Sequence, residues 1–341
     1  MHLAFSGGTR FIGRAAALRA LRAGHRVSVF HRGQHACDVA GAEDVLVDRG
    51  DPSALSAALA RSAPDVVIDT RAMTRSDAQV TALALKVLGV PGVVLSSIDV
   101  YAQFGLLNGL PGPEPEAVVS ETAPLTVPYP FRGLSTDLPP DYDKKEVERE
   151  LEDAGVDVVV LRLPAVYGSH DHRRRFGGIV DRLDAGARVL PCQGGASFRH
   201  AHAHVEDVAH AILLGAERGP RGFSVMNVAE LETPTMRARA EAIAGAIGAG
   251  IEWQESTGDL PGDLAILGRM ANDVVLSSAR VRTLLGFAEV TTADERLRDL
   301  IVVAATGEGA SAVLRGVPAD ELARMGQQAS VFGSDALSKV A

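Results

Sequence analysis

The chain of 341 residues is poor in cysteine, in aromatic residues and in lysine, and it has no long apolar run. Its two cysteines, Cys37 and Cys192, provide neither a disulfide framework nor the ligand spacing of a zinc site, as is typical of a protein in the reducing cytosol. No apolar stretch approaches the ~20 residues that a membrane-spanning helix needs. The N-terminus passes directly into the first predicted strand, which leaves no room for a secretory signal peptide, so we expect none. These absences predict a soluble, cytoplasmic protein that does not enter a membrane.

The charge balance is acidic, with 43 Asp and Glu against 34 Lys and Arg and a formal net charge of −9. Broad nucleic-acid binding depends on basic side chains that neutralise phosphates, so we expect no nucleic-acid partner. The sequence also has no P-loop lysine and no Ser-His-Asp order of a hydrolase. A hydrophobic content of 46% with 35 glycines is typical of a soluble α/β protein with a large core.

Strand-like runs rich in Val, Ile and Leu alternate with helical patterns through the first half of the chain. Continuous apolar runs are expected when helices cover both faces of a parallel sheet, and right-handed crossovers then give a Rossmann-type doubly wound α/β fold. The predicted strands are 2–6, 26–30, 44–47, 65–69, 92–97 and 157–162. The predicted helices are 11–23, 52–60, 76–88 and 141–154.

A glycine-rich segment, Gly7-Gly8-Thr9-Arg10-Phe11-Ile12-Gly13, joins the first predicted strand to the first predicted helix. A strand, a glycine turn and a helix in this order place backbone N–H groups at a helix N-terminus, where a pyrophosphate can bind. Gly7 permits the tight turn, Gly8 lets the phosphates approach the backbone, and Gly13 lets the helix pack closely on the strand. The segment predicts a dinucleotide-binding site.

His31 and Arg32 follow the second predicted strand, where an NAD site usually has an acidic residue for the ribose 2′-OH. Arg32, helped by His31 and by Arg10 in the glycine loop, would instead attract a 2′-phosphate through charge-assisted hydrogen bonds. We therefore favour NADP(H) as the cofactor, with NAD as the other possibility. The alternative is that Arg32 is a solvated surface charge. Asp48 and Arg49, after the third predicted strand, are candidates for the adenine edge or simple turn residues.

The domain organisation follows from the same pattern. We expect a dinucleotide-binding domain at 1–165, a smaller substrate-binding lobe at 166–306 and a tail at 307–341. A segment near 198–228 is expected to return to the first domain. The proline-rich stretch 105–140 is predicted to be a long loop over the carboxyl ends of the strands, where ligands bind in such sheets.

Three further segments carry a family resemblance. Residues 95–101 (LSSIDVY), 161–168 (LRLPAVYG) and 204–209 (HVEDVA), together with the glycine loop, resemble the extended short-chain dehydrogenase/reductase family in its NAD-dependent epimerase/dehydratase branch. The resemblance covers roughly residues 1–290. It implies a Rossmann fold, a nicotinamide cofactor, sugar nucleotides as the substrate class and a homodimer built on a helix pair.

The resemblance places the family's strand-end hydroxyl on Ser97, which could hydrogen-bond a substrate oxygen whose charge changes during hydride transfer. The alternative is a serine that only caps a turn. Asp99 stands where sugar dehydratases of the family carry a glutamate base, and it could remove a proton next to a transient ketone. A turn-forming aspartate is the alternative here.

The family's proton relay is Tyr-x-x-x-Lys, in which the lysine also binds the nicotinamide ribose. A Lys-Lys-Glu-Val-Glu-Arg segment places this lysine at Lys144, but Pro140 stands four residues earlier. Tyr142 is two residues from Lys144 and could not share its face within a helix. We keep Tyr142 and Lys144 as candidates, with Tyr129 or Tyr101 as substitutes for the tyrosine. Packing at a helix start is the alternative.

Other polar groups could bind ions or substrate. His200, His202 and His204 alternate along a predicted strand and would share one face, but no carboxylate or cysteine at ligand spacing supports them, so we predict no metal. Three arginines are candidates for binding an anionic substrate such as a nucleotide diphosphate-sugar: Arg132, Arg173 and Arg199. The alternative is that they are solvated charges in basic loops.

These residues together predict an NADP(H)-dependent epimerase, dehydratase or reductase acting on a sugar nucleotide or another small hydroxyl or carbonyl substrate. Ser97 would bind the carbonyl oxygen, and Asp99 or a tyrosine would move the proton. The broken Tyr/Lys spacing leaves a second hypothesis open, a regulator or scaffold that binds NADP(H) without turning it over. An RNA-associated member of the fold is disfavoured by the acidic charge.

Overall fold

The computed structural model describes residues 1–48, 50–127 and 138–305, which form two compact units. The first unit contains Met1–Val166, Arg199–Thr233 and Met270–Thr291. The second contains Tyr167–Phe198, Pro234–Arg269 and the described residues from Thr292 onward. The predicted tail at 307–341 lies outside the described residues.

The strands are β1 (His2–Ser6), β2 (Arg26–His31), β3 (Glu43–Leu46), β4 (Val66–Asp69), β5 (Gly92–Ser97), β6 (Val158–Leu163), β7 (Ala165–Tyr167), β8 (Val189–Cys192), β9 (His202–His204), β10 (Phe223–Asn227) and β11 (Glu252–Glu255). The helices are α1 (Phe11–Arg22), α2 (Pro52–Ser62), α3 (Arg75–Leu88), α4 (Ala102–Leu107), α5 (Lys144–Asp153), α6 (Gly177–Asp184), α7 (Val205–Arg218), α8 (Met236–Ile247), α9 (Ala279–Leu285) and α10 (Ala293–Ala305). None of these helices is long and apolar enough to cross a bilayer.

A seven-stranded parallel sheet forms the centre of the first unit, in the order β10-β6-β5-β4-β1-β2-β3. This arrangement confirms the predicted doubly wound fold. β1 lies between β2 and β4, so the glycine loop that follows it emerges in the middle of the sheet. The carboxyl end of β4 is its neighbour on one side, with that of β5 beyond it, and the carboxyl end of β2 is its neighbour on the other side.

Helices cover both faces of this sheet, whose inner strands are mostly apolar and buried. On one face, buried residues of α2, α3 and α5 pack with Ala4, Val67 and Val94 of the strands. On the other face, α1 packs against α7. The absence of a side chain at Gly215 lets α7 approach Val93 and Val159 closely. Since successive side chains of a strand point to opposite faces, the unbroken apolar runs of the sequence are explained.

Two of the predicted boundaries are wrong by three residues, and the other strand and helix boundaries predicted in the first half differ by two residues or fewer. The helix predicted at 141–154 begins only at Lys144, because the side chain of Asp143 accepts hydrogen bonds from the N–H groups of Lys145 and Glu146 and so caps the helix. The loop predicted at 105–140 overlaps the last turn of α4, which ends at Leu107.

The second unit has a small core of its own. β8 pairs in parallel with β11, and α6, α8 and α10 pack against one another. Ile179 and Leu183 of α6 and Ile243 of α8 are buried in this unit.

Candidate functional site

The glycine loop has a geometry that only glycine permits at two positions. Gly7 has a φ of +83°, and its N–H donates to the carbonyl oxygen of Phe30 (3.1 Å). A Cβ at Gly13 would lie 2.8 Å from the carbonyl oxygen of Gly7. Larger residues would therefore strain the turn or force α1 away from β1.

The loop leads into a helix whose first turn suits an anion. Arg10 is the N-cap residue of α1, and its side chain makes no capping hydrogen bond. The first turn of α1 contains no acidic residue. Because the first N–H groups of a helix have no partner within it and carry the positive end of its dipole, a phosphate is well accommodated at this place.

Basic side chains follow β2. Arg32 is exposed and donates to the Gln34 side chain (3.3 Å), and Arg10 donates to the ring of His35 (3.2 Å). His31 differs from them, because its Nδ1 accepts from the N–H of Gly33 (3.1 Å) and its Nε2 lies 2.5 Å from Asp44 Oδ1. Both ring nitrogens are thus used within the protein, which leaves Arg32 as the stronger candidate for a 2′-phosphate.

The ring of His31 also belongs to a group that could hold a metal ion. Ligand atoms of His31, Cys37 and Asp44 lie within 4.8 Å of one another. Because Nδ1 accepts a hydrogen bond from Gly33, the ring proton is on Nε2 and is donated to Asp44. A metal at Nε2 would require that proton to move to Nδ1, against the Gly33 N–H. The arrangement therefore favours an imidazole–carboxylate hydrogen bond over a metal site.

The alternating histidines form no ligand cluster among the residues that the structure describes. The rings of His200 and His202 meet edge to face with centroids 5.2 Å apart, and His204 accepts from the N–H of Glu206 at the start of α7 (3.4 Å). Of the two residues predicted near the adenine, Asp48 accepts from the N–H of Gly50 (2.9 Å), as a turn residue does, and Arg49 lies outside the described ranges.

Three candidate residues meet at the carboxyl end of β5. Ser97 and Asp99 belong to this strand end, and Tyr142, 43 positions after Asp99, contacts Asp99 from another segment. Ser97 ends β5, and its Oγ accepts from the N–H of Asp99 (3.3 Å) in the 3-10 turn that follows. Asp99 is buried, with 8% of its surface exposed, and the hydroxyl of Tyr142 donates to its Oδ2 (2.9 Å). Tyr142 lies before Asp143, the N-cap of α5, and is therefore not part of the helix. The argument that a two-residue spacing puts Tyr142 and Lys144 on different helix faces does not apply to it.

Lys144 occupies the first position of α5 and is buried beneath the same strand ends. Its Nζ donates to the carbonyl oxygens of Leu95 (2.8 Å) and Ala72 (2.5 Å). Burial lowers the pKa of Lys144 to about 8, against the opposing attraction of Asp99. Its ammonium charge is therefore present below about pH 8 and lost as the pH rises through that value.

A buried ion pair behind this site was not predicted from the sequence. Glu148, one turn after Lys144, accepts two hydrogen bonds from Arg162 (2.9 and 2.6 Å) and one from the hydroxyl of Ser96 (2.5 Å). The guanidinium of Arg162 also lies 4.7 Å from the ring centre of Tyr101. The one sequence signal was an arginine within the apolar run of β6, since a charge buried there requires a partner.

Tyr101 is a poor substitute for the missing relay tyrosine. It is 1% exposed, and its hydroxyl donates to Asn227 Oδ1 (2.7 Å). Burial raises the pKa of Tyr101 to about 12, so the phenol holds its proton. The other substitute, Tyr129, lies outside the described residues.

The structure describes two of the three candidate substrate arginines. Arg199 belongs to the first unit, where its Nε donates to the carbonyl oxygen of Thr233 (2.8 Å). Arg173 is an exposed residue of the second unit, and its backbone N–H donates to Asp171 (3.0 Å). Arg132 lies outside the described residues.

Comparison with known proteins gives a family and a fold. The model of the NAD-dependent epimerase/dehydratase family matches residues 5–85 and 143–229. No curated protein matches the sequence. Among solved structures, the UDP-glucose 4-epimerase of Thermotoga maritima with UDP-glucose is 18% identical, with a TM-score of 0.66 over 89% of this chain and 98% of that one.

Two further structures are similar to the same extent. The UDP-glucose 4-epimerase of Bifidobacterium longum in complex with NAD⁺ and UDP is 15% identical, with a TM-score of 0.65 over 91% of this chain and all (100%) of that one. The dTDP-glucose 4,6-dehydratase of Bacillus anthracis in complex with NAD is 16% identical, with a TM-score of 0.66 over 90% of this chain and 97% of that one. Likeness at these identities establishes the shared fold.

Proposed function

Because the chain belongs to the NAD-dependent epimerase/dehydratase family, we propose that it is an NADP(H)-dependent enzyme that epimerises, dehydrates or reduces a sugar nucleotide or a similar small substrate. One observation carries this proposal: the Tyr142 hydroxyl donates to the Asp99 carboxylate after β5, the strand whose Leu95 carbonyl oxygen accepts from the buried Lys144. In the sheet, β5 is two strands from β1 and its glycine loop. Carboxylate, phenol and ammonium groups at such a place can move protons.

The first unit offers a binding group for each part of the cofactor. The amides at the start of α1 would hold its diphosphate, and Arg32 would hold the 2′-phosphate beyond β2. Lys144 would bind the nicotinamide ribose, as the family resemblance implies. The chemistry that a bound nicotinamide would supply is reversible hydride transfer with a substrate carbinol.

Ser97 would position the substrate. Its Oγ accepts a hydrogen bond from Asp99 N–H, so its own proton can be donated to a substrate oxygen. Such a donor is worth most when negative charge develops on that oxygen.

Asp99 and Tyr142 would handle the protons as a unit, because they share a hydrogen bond. When the Tyr142 oxygen accepts a proton from the substrate hydroxyl, its own proton can pass to Asp99 Oδ2. The cationic Lys144 favours negative charge on either group. Asp99 alone could remove a proton from the carbon next to a transient ketone.

Sugar nucleotides are the first substrates to test, since solved structures of the same fold contain UDP-glucose or are named for dTDP-glucose. We expect the purified protein with NADP⁺ to convert UDP-glucose, dTDP-glucose or a related sugar nucleotide, as measured by NMR in D₂O. Solvent deuterium enters the sugar where Asp99 removes a proton from the carbon next to a transient ketone. Tight NADPH binding without conversion of any member of the panel would contradict the enzyme and favour a regulator. Pro140, at the position of the family tyrosine, is the observation in favour of that alternative.

The cofactor preference has its own test in Arg32→Ala. We expect this substitution to weaken NADPH binding roughly tenfold to a hundredfold and NADH binding less than about twofold, because charge-assisted hydrogen bonds to the 2′-phosphate are lost. Calorimetric titration with both cofactors measures the difference. Arg75→Ala is the matched control, since Arg75 is an exposed arginine paired with Glu150 on the helical layer (2.8 Å). Equal losses for NADPH and NADH would refute the 2′-phosphate role.

The anionic part of the substrate would bind to arginines, for which Arg132, Arg173 and Arg199 are our candidates. The proposed assembly is a homodimer through paired helices. Leu83 and Val87, one turn apart on α3, are 48% and 65% exposed and would be covered in it.

A further inference from the structure

An arginine that the sequence did not single out lies against the glycine loop. A Cβ added to Gly7 would come within 2.5 Å of Arg71 Cγ, so the stem of this side chain passes directly over Gly7. The neighbouring Thr70 donates its hydroxyl to the carbonyl oxygen of Gly7 (2.6 Å). The segment after β4 is thereby attached to the loop after β1.

A hydrogen bond to the buried Asp69 fixes the backbone of Arg71. Asp69, the last residue of β4, is 1% exposed, and its Oδ1 accepts from the N–H of Arg71 (2.8 Å). Its Oδ2 accepts from the hydroxyl of Thr81 on α3 (2.5 Å). The stem of Arg71 therefore starts from an anchored position, whereas the residue itself is exposed.

The charge of Arg71 also acts on Lys144. Arg71 is one of the groups that lower the pKa of Lys144, so the guanidinium is close enough for its field to reach that ammonium. The stem of Arg71 thus lies over Gly7, and its charge acts on the ammonium of Lys144. Arg10 and Arg32 lie on the other side of the loop, towards β2.

We propose that Arg71 binds the diphosphate of the dinucleotide, and this proposal rests on the proposed function. A cofactor with its 2′-phosphate held beyond β2 and its nicotinamide held near Asp99 would cross β1, which would bring its diphosphate to the loop at Gly7. The amides of α1 supply only about half a positive charge to a group with two negative charges. Arg71 supplies a full charge and two or more donors from the β4 side of the loop.

Arg71→Ala tests the assignment by binding alone. We expect it to weaken NADPH, NADH and ADP-ribose by a similar factor of roughly ten to a hundred, because all three contain the diphosphate. Arg32→Ala weakens only NADPH, and Arg75→Ala, four residues along the chain, leaves all three affinities unchanged. Arg71→Lys retains the charge and is expected to lose less affinity than Arg71→Ala.

The outcomes separate this proposal from the one on which it rests. If the wild type binds none of the three ligands, the proposed function fails. If the wild type binds them and Arg71→Ala binds them equally well, only the role of Arg71 is overturned. A loss confined to NADH and NADPH, with ADP-ribose unaffected, also overturns it, since Arg71 would then act on the nicotinamide half. Thermal melting of each variant confirms folding, and Arg71→Gln replaces Arg71→Ala if the latter fails to fold.

Discussion

Asp99→Asn is expected to abolish exchange of the substrate proton with solvent and to slow turnover by about 10²- to 10⁴-fold. The amide has the shape of the carboxyl group and can still accept the hydrogen bond from Tyr142, so the surrounding structure should persist. It cannot take up a proton, however, and the relay from Tyr142 ends there. Deuterium incorporation measured by NMR, together with NADPH titration to show that the cofactor still binds, gives the result directly.

Tyr142→Phe provides the second half of this test. It is expected to cause a loss of similar size, and the double variant should be little worse than either single one, because the two groups act as a unit. Asp153→Asn is the control, since its carboxylate at the end of α5 is 70% exposed. Wild-type rates in Asp99→Asn would remove Asp99 from the mechanism, and additive losses would show that the two residues work independently.

Arg162→Met is expected to destabilise the protein by about 3–5 kcal/mol, because it leaves the charge of Glu148 buried without its partner. The side chains of Arg162 and Glu148 are only 5% and 6% exposed, so water cannot replace the lost contacts. Equilibrium unfolding in urea measures the change, provided that the slope with denaturant stays the same.

Two control variants show whether the loss of stability comes from the buried, unpaired charge. Arg221 pairs with Asp157 at the other end of β6, but its side chain is 83% exposed, so Arg221→Met should change stability by less than about 1 kcal/mol. The double variant Glu148→Met with Arg162→Met should recover most of the loss, because no charge then remains buried. A single Arg162→Met variant as stable as Arg221→Met would contradict the account.

The fold was predictable because its signals are local. The apolar strand runs, the glycine turn and the alternating helical patterns each follow from a few neighbouring residues, and the parallel sheet confirms them. The start of α5 was harder, since Asp141 and Asp143 can both cap a helix and only Asp143 does so.

The site was predictable only in its parts. Ser97, Asp99 and Lys144 came from motifs, but the contact between Tyr142 and Asp99 joins residues 43 positions apart and depends on where α5 begins. An arginine in the apolar strand β6 indicated that a buried partner must exist, but the sequence did not identify it. The packing of α5 on the sheet makes Glu148 that partner. Arg71 carried no signal, because an arginine after a strand is usually solvated and its place over Gly7 depends on the pairing of β1 with β4.

The order of segments along the chain also has a consequence for synthesis. As the nascent chain leaves the ribosome, residues up to Val166 form six strands of the central sheet, but β10 and α7 have not yet been made. β6 is then an unprotected edge that can pair with other chains, and the apolar surface around Val93 and Val159 lacks its cover. The sheet is complete only when residues 205–227 have been added, so until then this edge and this surface are open to association with other chains.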